Sequence, residues 1–92
     1  MIKTFADNDV ETIAQGYSVR RWVNIQRPLQ RKLALLNSAV ELRDLKDPSG
    51  NNLEALKGDR KGQHSIRVND QYRICFKWKD GDAYDVEVVD YH

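Results

Sequence analysis

Hydrophobic and polar positions divide the chain into a helical first half and an alternating second half. Ile2, Thr4 and Phe5 read as a short opening strand, after which Asp7 or Asn8 can cap a brief helix ending near Gln15, with Gly16 as its stop. A second helix is predicted from near Asn24. There Ile25, Leu29, Leu33, Leu36 and Val40 recur at spacings of three and four and so share one face. Pro28 fits only in the first turn of that helix, where a missing N–H costs least. Leu42 and Leu45 either continue the helix or form a separate turn, and Asp47 to Asn52 is a loop rich in turn formers.

From His64 the period changes to two. Ile66 and Val68 alternate with Ser65 and Arg67. After the polar Asn69-Asp70 step, Tyr72, Ile74, Phe76 and Trp78 alternate with Arg73, Cys75 and Lys77. Asp80-Gly81 marks a tight hairpin turn. Beyond it Tyr84, Val86 and Val88 lie on one side and Asp85, Glu87, Val89 and Tyr91 on the other. The sum is an α+β fold in a single domain over residues 1–92: a C-terminal three-strand antiparallel meander plus the short N-terminal strand, packed on two N-terminal helices. By alternation Arg67, Arg73, Lys77 and Tyr91 project from the face away from the helices. On that reading Arg73 is exposed, and Arg73→Ala should leave the thermal midpoint nearly intact.

Composition narrows the function classes. With 92 residues, 40% of them hydrophobic and 32% charged, the core is too small for a two-lobed nucleotide-cofactor enzyme. No apolar run approaches the ~18 residues of a membrane span. Cys75 is the only cysteine, and Met1 is followed by no apolar leader, so a reducing cytoplasm is the expected compartment. The net charge of +1 conceals a lopsided distribution. Residues 12–40 have no Asp or Glu but carry Arg20, Arg21, Arg27, Arg31 and Lys32, whereas residues 80–92 carry five acidic and no basic residues. A basic surface able to meet phosphates therefore stands beside an acidic one; the alternative is ordinary solvated faces or a contact with an acidic partner.

Candidate chemistry follows the same uneven distribution. His64, His92 and Cys75 lack metal-ligand spacing, so no metal or cofactor is expected, and mid-strand Cys75 reads as a small buried residue. The stretch from Lys57 to Gly62 is either a plain loop or a weak anion-binding one. Asp90-Tyr91-His92 supplies a carboxylate, an aromatic and an imidazole in succession. With Arg73 on the neighbouring strand and Lys57, Arg60 and Arg67 nearby, that set offers what phosphodiester cleavage needs without a metal, namely a proton shuttle and cationic clamps.

Several strings together carry a family resemblance: Val40-Glu41-Leu42-Arg43-Asp44-Leu45, Leu53-Glu54-Ala55-Leu56-Lys57-Gly58-Asp59-Arg60, His64-Ser65-Ile66-Arg67-Val68-Asn69-Asp70-Gln71-Tyr72-Arg73 and the terminal Val89-Asp90-Tyr91-His92, with Arg20-Arg21-Trp22 and Arg31-Lys32-Leu33 upstream. They resemble the HigB group of the RelE superfamily, GraT-like members above all, the toxins of bacterial type II toxin–antitoxin pairs. The resemblance implies a RelE-like fold and a ribosome-dependent endoribonuclease that cuts messenger RNA in the ribosomal A site by attack of the 2′-OH on the adjacent phosphate. It also implies the roles: Arg73 neutralising the phosphate, His92 transferring protons, Tyr91 orienting the nucleotide and Asp90 supporting the terminus. Lys57, Arg60, Arg67, Arg20 and Arg21 would bind RNA and ribosome. One branch of the family has a histidine where this chain has Glu54, which stands either as a general base or as a surface loop residue. The implied partners are a HigA-like helix-turn-helix antitoxin, the ribosome and its message, with operator DNA reached only through the antitoxin and no membrane. The other reading is a noncatalytic RNA- or ribosome-binding module, or a decayed toxin acting as transcriptional co-regulator with its antitoxin.

Overall fold

The computed structural model describes residues 1–46 and 51–90. The expected turn at Asp47 to Gly50, and Tyr91 and His92, lie outside the described residues. Helix α1 runs Asn8–Ala14, opened by Asp7, whose side chain accepts from the Asp9 amide at 2.8 Å, and followed by Gly16 at φ +98°. Only seven residues long, it depends on packing more than on propensity, and it buries Val10 and Ile13 completely. A 3₁₀ helix over Arg20–Ile25 then leads into α2, Gln26–Ser38. The α-helix thus begins two residues later than Asn24, and Pro28 sits in its first turn as expected.

Ile25, Leu29, Leu33 and Leu36 form the buried stripe of α2, but Val40 does not join them: it is 73% exposed. The helix is capped at Ala39, whose extended backbone (φ −66°, ψ 135°) carries the chain off the helical path before Val40 is reached. Leu42–Leu45 forms a separate 3₁₀ turn that buries Leu45.

Four antiparallel strands follow in spatial and sequence order: β1 Glu54–Ala55, β2 Gln63–Arg67, β3 Tyr72–Lys79 and β4 Asp82–Asp90. Asp80 and Gly81, both at positive φ, make the two-residue β3–β4 turn. The N-terminal segment supplies no ladder of its own. It lies parallel to β4 through two bridges, Ile2 to Ala83 and Phe5 to Val86, so the fourth sheet strand is β1. The helical stripe and α1 cover one face of the sheet. Ile66, Ile74, Phe76, Ala83 and Val86 there are all fully buried; each of these except Ala83 contributes about 1.5–3 kcal/mol by leaving water.

The register corrects one expectation from alternation. Cys75 pairs with Glu87 but Lys77 pairs with Tyr84, so β4 carries a bulge at Asp85, whose φ is +53°. That extra residue turns Tyr84 away from Val86 and Val88 and onto the opposite face, beside Lys77. Among the described residues no helix is long and apolar enough to cross a membrane.

Candidate functional site

Cross-strand pairing arranges the face away from the helices in rows. Arg67, Arg73 and Val89 form the row nearest the β2–β3 turn; Glu54, Ser65, Cys75 and Glu87 form the next; Gln63, Lys77 and Tyr84 form the last. Pairs on one face stand about 4.5–5.5 Å apart, so neighbouring rows share contacts.

Arg73 is the middle residue of the row at the turn, and it corrects the expectation of an exposed side chain: the residue is only 8% exposed. Its Nε donates to Ser65 Oγ at 2.8 Å, and its Nη2 donates to the Asn52 carbonyl and to Ser65 O at 3.4 Å. A serine hydroxyl and two backbone carbonyls, not solvent, receive the arginine that alternation sends to this face. Asn52 presents its carbonyl from a left-handed conformation, φ +45°. Fully buried Asn51 secures the same corner, its amide donating to the Leu45 carbonyl at 3.1 Å and its own carbonyl accepting from Arg67 N at 2.6 Å.

The other candidates fall around this arginine. Glu54 is exposed on β1 in the row beside Arg73, opposite the serine that anchors the guanidinium. Arg60, from the 3₁₀ turn Gly58–Arg60, binds Glu87 Oε1 at 2.6 Å and Gln63 Oε1 at 3.1 Å. Gln63 is on β2 and Glu87 on β4, so Arg60 reaches across β3 over the middle of the face. Lys57 is exposed one residue before that turn. Arg67 pairs with Asp70, and Asp90 accepts from Gln71 Nε2 at 3.1 Å beside Tyr72.

Arg20 and Arg21 stand apart from these rows, on the exposed side of the 3₁₀ helix. Arg21 pairs with Asp7 at 3.6 Å and stacks 4.6 Å over Trp22. Lys32 of α2 donates to Asn51 Oδ1. Burial, then the charges of Arg31 and Arg67, hold its pKa below the ordinary lysine range.

Sequence reasoning missed Ser65, Asn51, Asn52, Glu87 and Tyr84. A serine diagonal to an arginine across a hairpin, and an Asn-Asn pair before a strand, were the available signals for the first three. Among the described residues no group of three or more His, Cys, Asp or Glu could hold a metal ion. Chemically, the face offers a fixed cation flanked by carboxylates and further cations, an arrangement suited to a phosphodiester whose charge grows during reaction.

Comparison with known proteins points the same way. Residues 3–92 match the family model described as the RelE-like toxin of type II toxin-antitoxin system HigB. Over 60 residues the chain is 50% identical to Toxin HigB-1 of Vibrio cholerae, covering 65% of this chain and 63% of that protein. Over 61 residues it is 39% identical to Endoribonuclease HigB of Proteus vulgaris, covering 66% and 65%. The matched stretch thus spans slightly less than two thirds of either relative. Among solved structures, a YafQ mutant from E. coli superposes with TM-score 0.64 at 15% identity, over 99% of this chain and 94% of that one. A YoeB-YefM toxin–antitoxin complex from Staphylococcus aureus gives 0.57 at 18% identity, over 100% and 98%. At those identities the likeness is one of fold.

Proposed function

The chain belongs to the HigB family of RelE-like type II toxins, and on that premise we propose that it is an endoribonuclease that cleaves messenger RNA in the ribosomal A site. The observation that carries this reading is Arg73, a guanidinium fixed by Ser65 and Asn52 on a face that also carries Glu54 in the next row and Arg60 across it. Cleavage proceeds by attack of a ribose 2′-oxygen on the adjacent phosphorus, with the 5′-oxygen leaving and a cyclic phosphate remaining. Arg73 offsets the charge that accumulates on the phosphoryl oxygens. Because its partners hold the guanidinium edge in place, little reorganisation is needed as that charge grows. Glu54, exposed in the adjacent row, takes the 2′-OH proton; His92 returns a proton to the leaving oxygen, Tyr91 orients the nucleotide and Asp90 supports the terminus. Lys57, Arg60 and Arg67 hold flanking phosphates, and Arg20 and Arg21 meet ribosomal RNA. Growth inhibition is relieved by a helix-turn-helix antitoxin, HigA-like in kind, through which operator DNA is reached. The site of action is the cytoplasm.

A second reading is favoured by the burial of Arg73: an arginine already held by protein acceptors suits a scaffold, and the chain would then bind RNA or ribosome without cutting, or act with its antitoxin on transcription. Primer-extension mapping on a translated message decides between them. The enzyme gives discrete cuts that require ribosomes and disappear in Arg73→Ala and Glu54→Gln; a message left whole by the wild-type chain overturns the nuclease reading.

A further inference from the structure

The bulge at Asp85 is the least expected feature of the sheet, and it has a consequence for what the open face can bind. A non-glycine residue held at φ +53° is uncommon, and here the N-terminal segment pins it: Thr4 Oγ1 accepts from the Asp85 amide at 2.8 Å and donates to Asp85 Oδ1 at 3.4 Å. The effect is to take Tyr84 out of the apolar series of β4 and set it beside Lys77 on the face that carries Arg73. Bulges recur next to active sites for this re-aiming of a side chain.

Tyr84 then lines an open cavity of about 720 Å³ with Lys61, Lys77, Trp78, Lys79 and Asp85, three ammonium groups against one carboxylate. Lys77 and Asp85 pair at 3.1 Å, each about half exposed, a contact weak enough for a phosphate to replace. The charge excess fits a polyanion, and the half-buried phenol fits a flat π-face. Lys77 lies four steps along β3 from Arg73, about 13 Å. A strand bound at Arg73 can therefore continue over this cavity along the same face.

We propose that Tyr84, re-aimed by the Asp85 bulge, is a stacking platform for a base of single-stranded RNA whose phosphates are met by Lys61, Lys77 and Lys79, a second subsite on the same strand that Arg73 engages. This rests on the RNA reading given above. Stacking on an aromatic is sequence-tolerant and strong enough to decide affinity, while lysines add a salt-dependent share.

The test is fluorescence anisotropy of the full chain with a labelled dodecamer of 2′-O-methyl RNA, which has no free 2′-OH and so survives a competent nuclease. Tyr84→Leu, which keeps apolar bulk but removes the ring, should weaken binding by at least about fivefold, and Tyr84→Phe should retain it. Lys61→Ala and Lys79→Ala should each flatten the slope of log affinity against log salt by roughly 0.7. Near-ultraviolet circular dichroism certifies the fold of each variant. Tyr84→Leu binding like wild type overturns the subsite while leaving the RNA reading intact. Lysine variants that flatten the slope beside an indifferent Tyr84→Leu mean a polyanion patch only, and also overturn it. A folded wild-type chain that leaves the RNA free also overturns the subsite, whereas the ribosome-dependent nuclease reading stands or falls on the primer-extension experiment above.

Discussion

The two faces of the sheet are buried by different means. On the helical side, Ile74, Phe76, Val86 and Ala83 are covered by α1 and α2, and the period of two is plain in the sequence for Ile74 and Phe76, as it is for Val86 with Val88. On the open side, Ser65, Arg73 and Cys75 are nearly as inaccessible, although they face away from α1 and α2. Side chains of the face itself cover them, with Arg60 reaching from Gln63 to Glu87 and Arg73 folded onto Ser65 and Asn52. Alternation reports which face a residue occupies; it does not report whether that face is wet. A polar strand face becomes dry when its own side chains satisfy one another.

The sharpest contrast between the faces is in what truncation removes. Phe76→Ala empties a fully buried site and should cost about 3–5 kcal/mol, much of the total for a domain of this size, as read from urea unfolding. Arg73→Ala removes a side chain of similar size and in addition strands Ser65 Oγ and the Asn52 carbonyl. Charged hydrogen bonds of this kind are worth about 1.5–3 kcal/mol, so the midpoint should fall by roughly 10 °C, together with loss of cleavage. Arg73→Lys should not recover it, because a single ammonium cannot reproduce the fork. A thermal midpoint unchanged in Arg73→Ala would erase the likeness between the faces and return the arginine to the solvent.

What the sequence discloses follows the same line. The meander, the Asp80-Gly81 turn, the Asp7 cap and the stripe from Ile25 to Leu36 rest on local rules, and each is found in place. Val40 drops from the stripe because the helix is capped at Ala39, one residue before its face would recur. Tyr84 changes face through a left-handed aspartate, with no glycine there to signal a bulge. The anchoring of Arg73 depends on a backbone carbonyl twenty-one residues away, and no side-chain pattern encodes a carbonyl. The HigB resemblance was legible because several strings coincide, none of which is distinctive alone.

A smaller effect separates charge from packing on the open face. Arg60 and Glu87 are each about one-third exposed, so their ion pair should contribute no more than about 1 kcal/mol. Glu87→Gln should therefore leave unfolding almost unchanged. It also removes a carboxylate from the surface proposed to meet phosphates, and the affinity for 2′-O-methyl RNA should rise. A large stability loss in Glu87→Gln would mean that Arg60 holds the face together as firmly as Arg73 does.

The smallest effect is set at the corner where the two faces share a support. Asp44 Oδ2 accepts from the Glu41 amide at 2.9 Å and the Val40 amide at 3.0 Å, and these bonds hold its carboxyl below the usual value of 3.8. A carboxylate whose folded pKa is depressed stabilises fully above its unfolded pKa, and that contribution disappears as pH falls through the folded value. The capped turn Leu42–Leu45 should therefore loosen below about pH 4. Leu45 is buried in the helical core, and its carbonyl receives the Asn51 amide, which adjoins the Asn52 carbonyl that holds Arg73. Loosening the turn should thus reach the open face before the helical one. Amide exchange at pH 3.5 against pH 5 should show lost protection first at Leu45 and Arg67, with Ile74 and Phe76 unaffected, and Asp44→Asn should weaken that pH dependence. Simultaneous loss at all four residues would mean that the corner has no separate stability, and that the two faces melt as one.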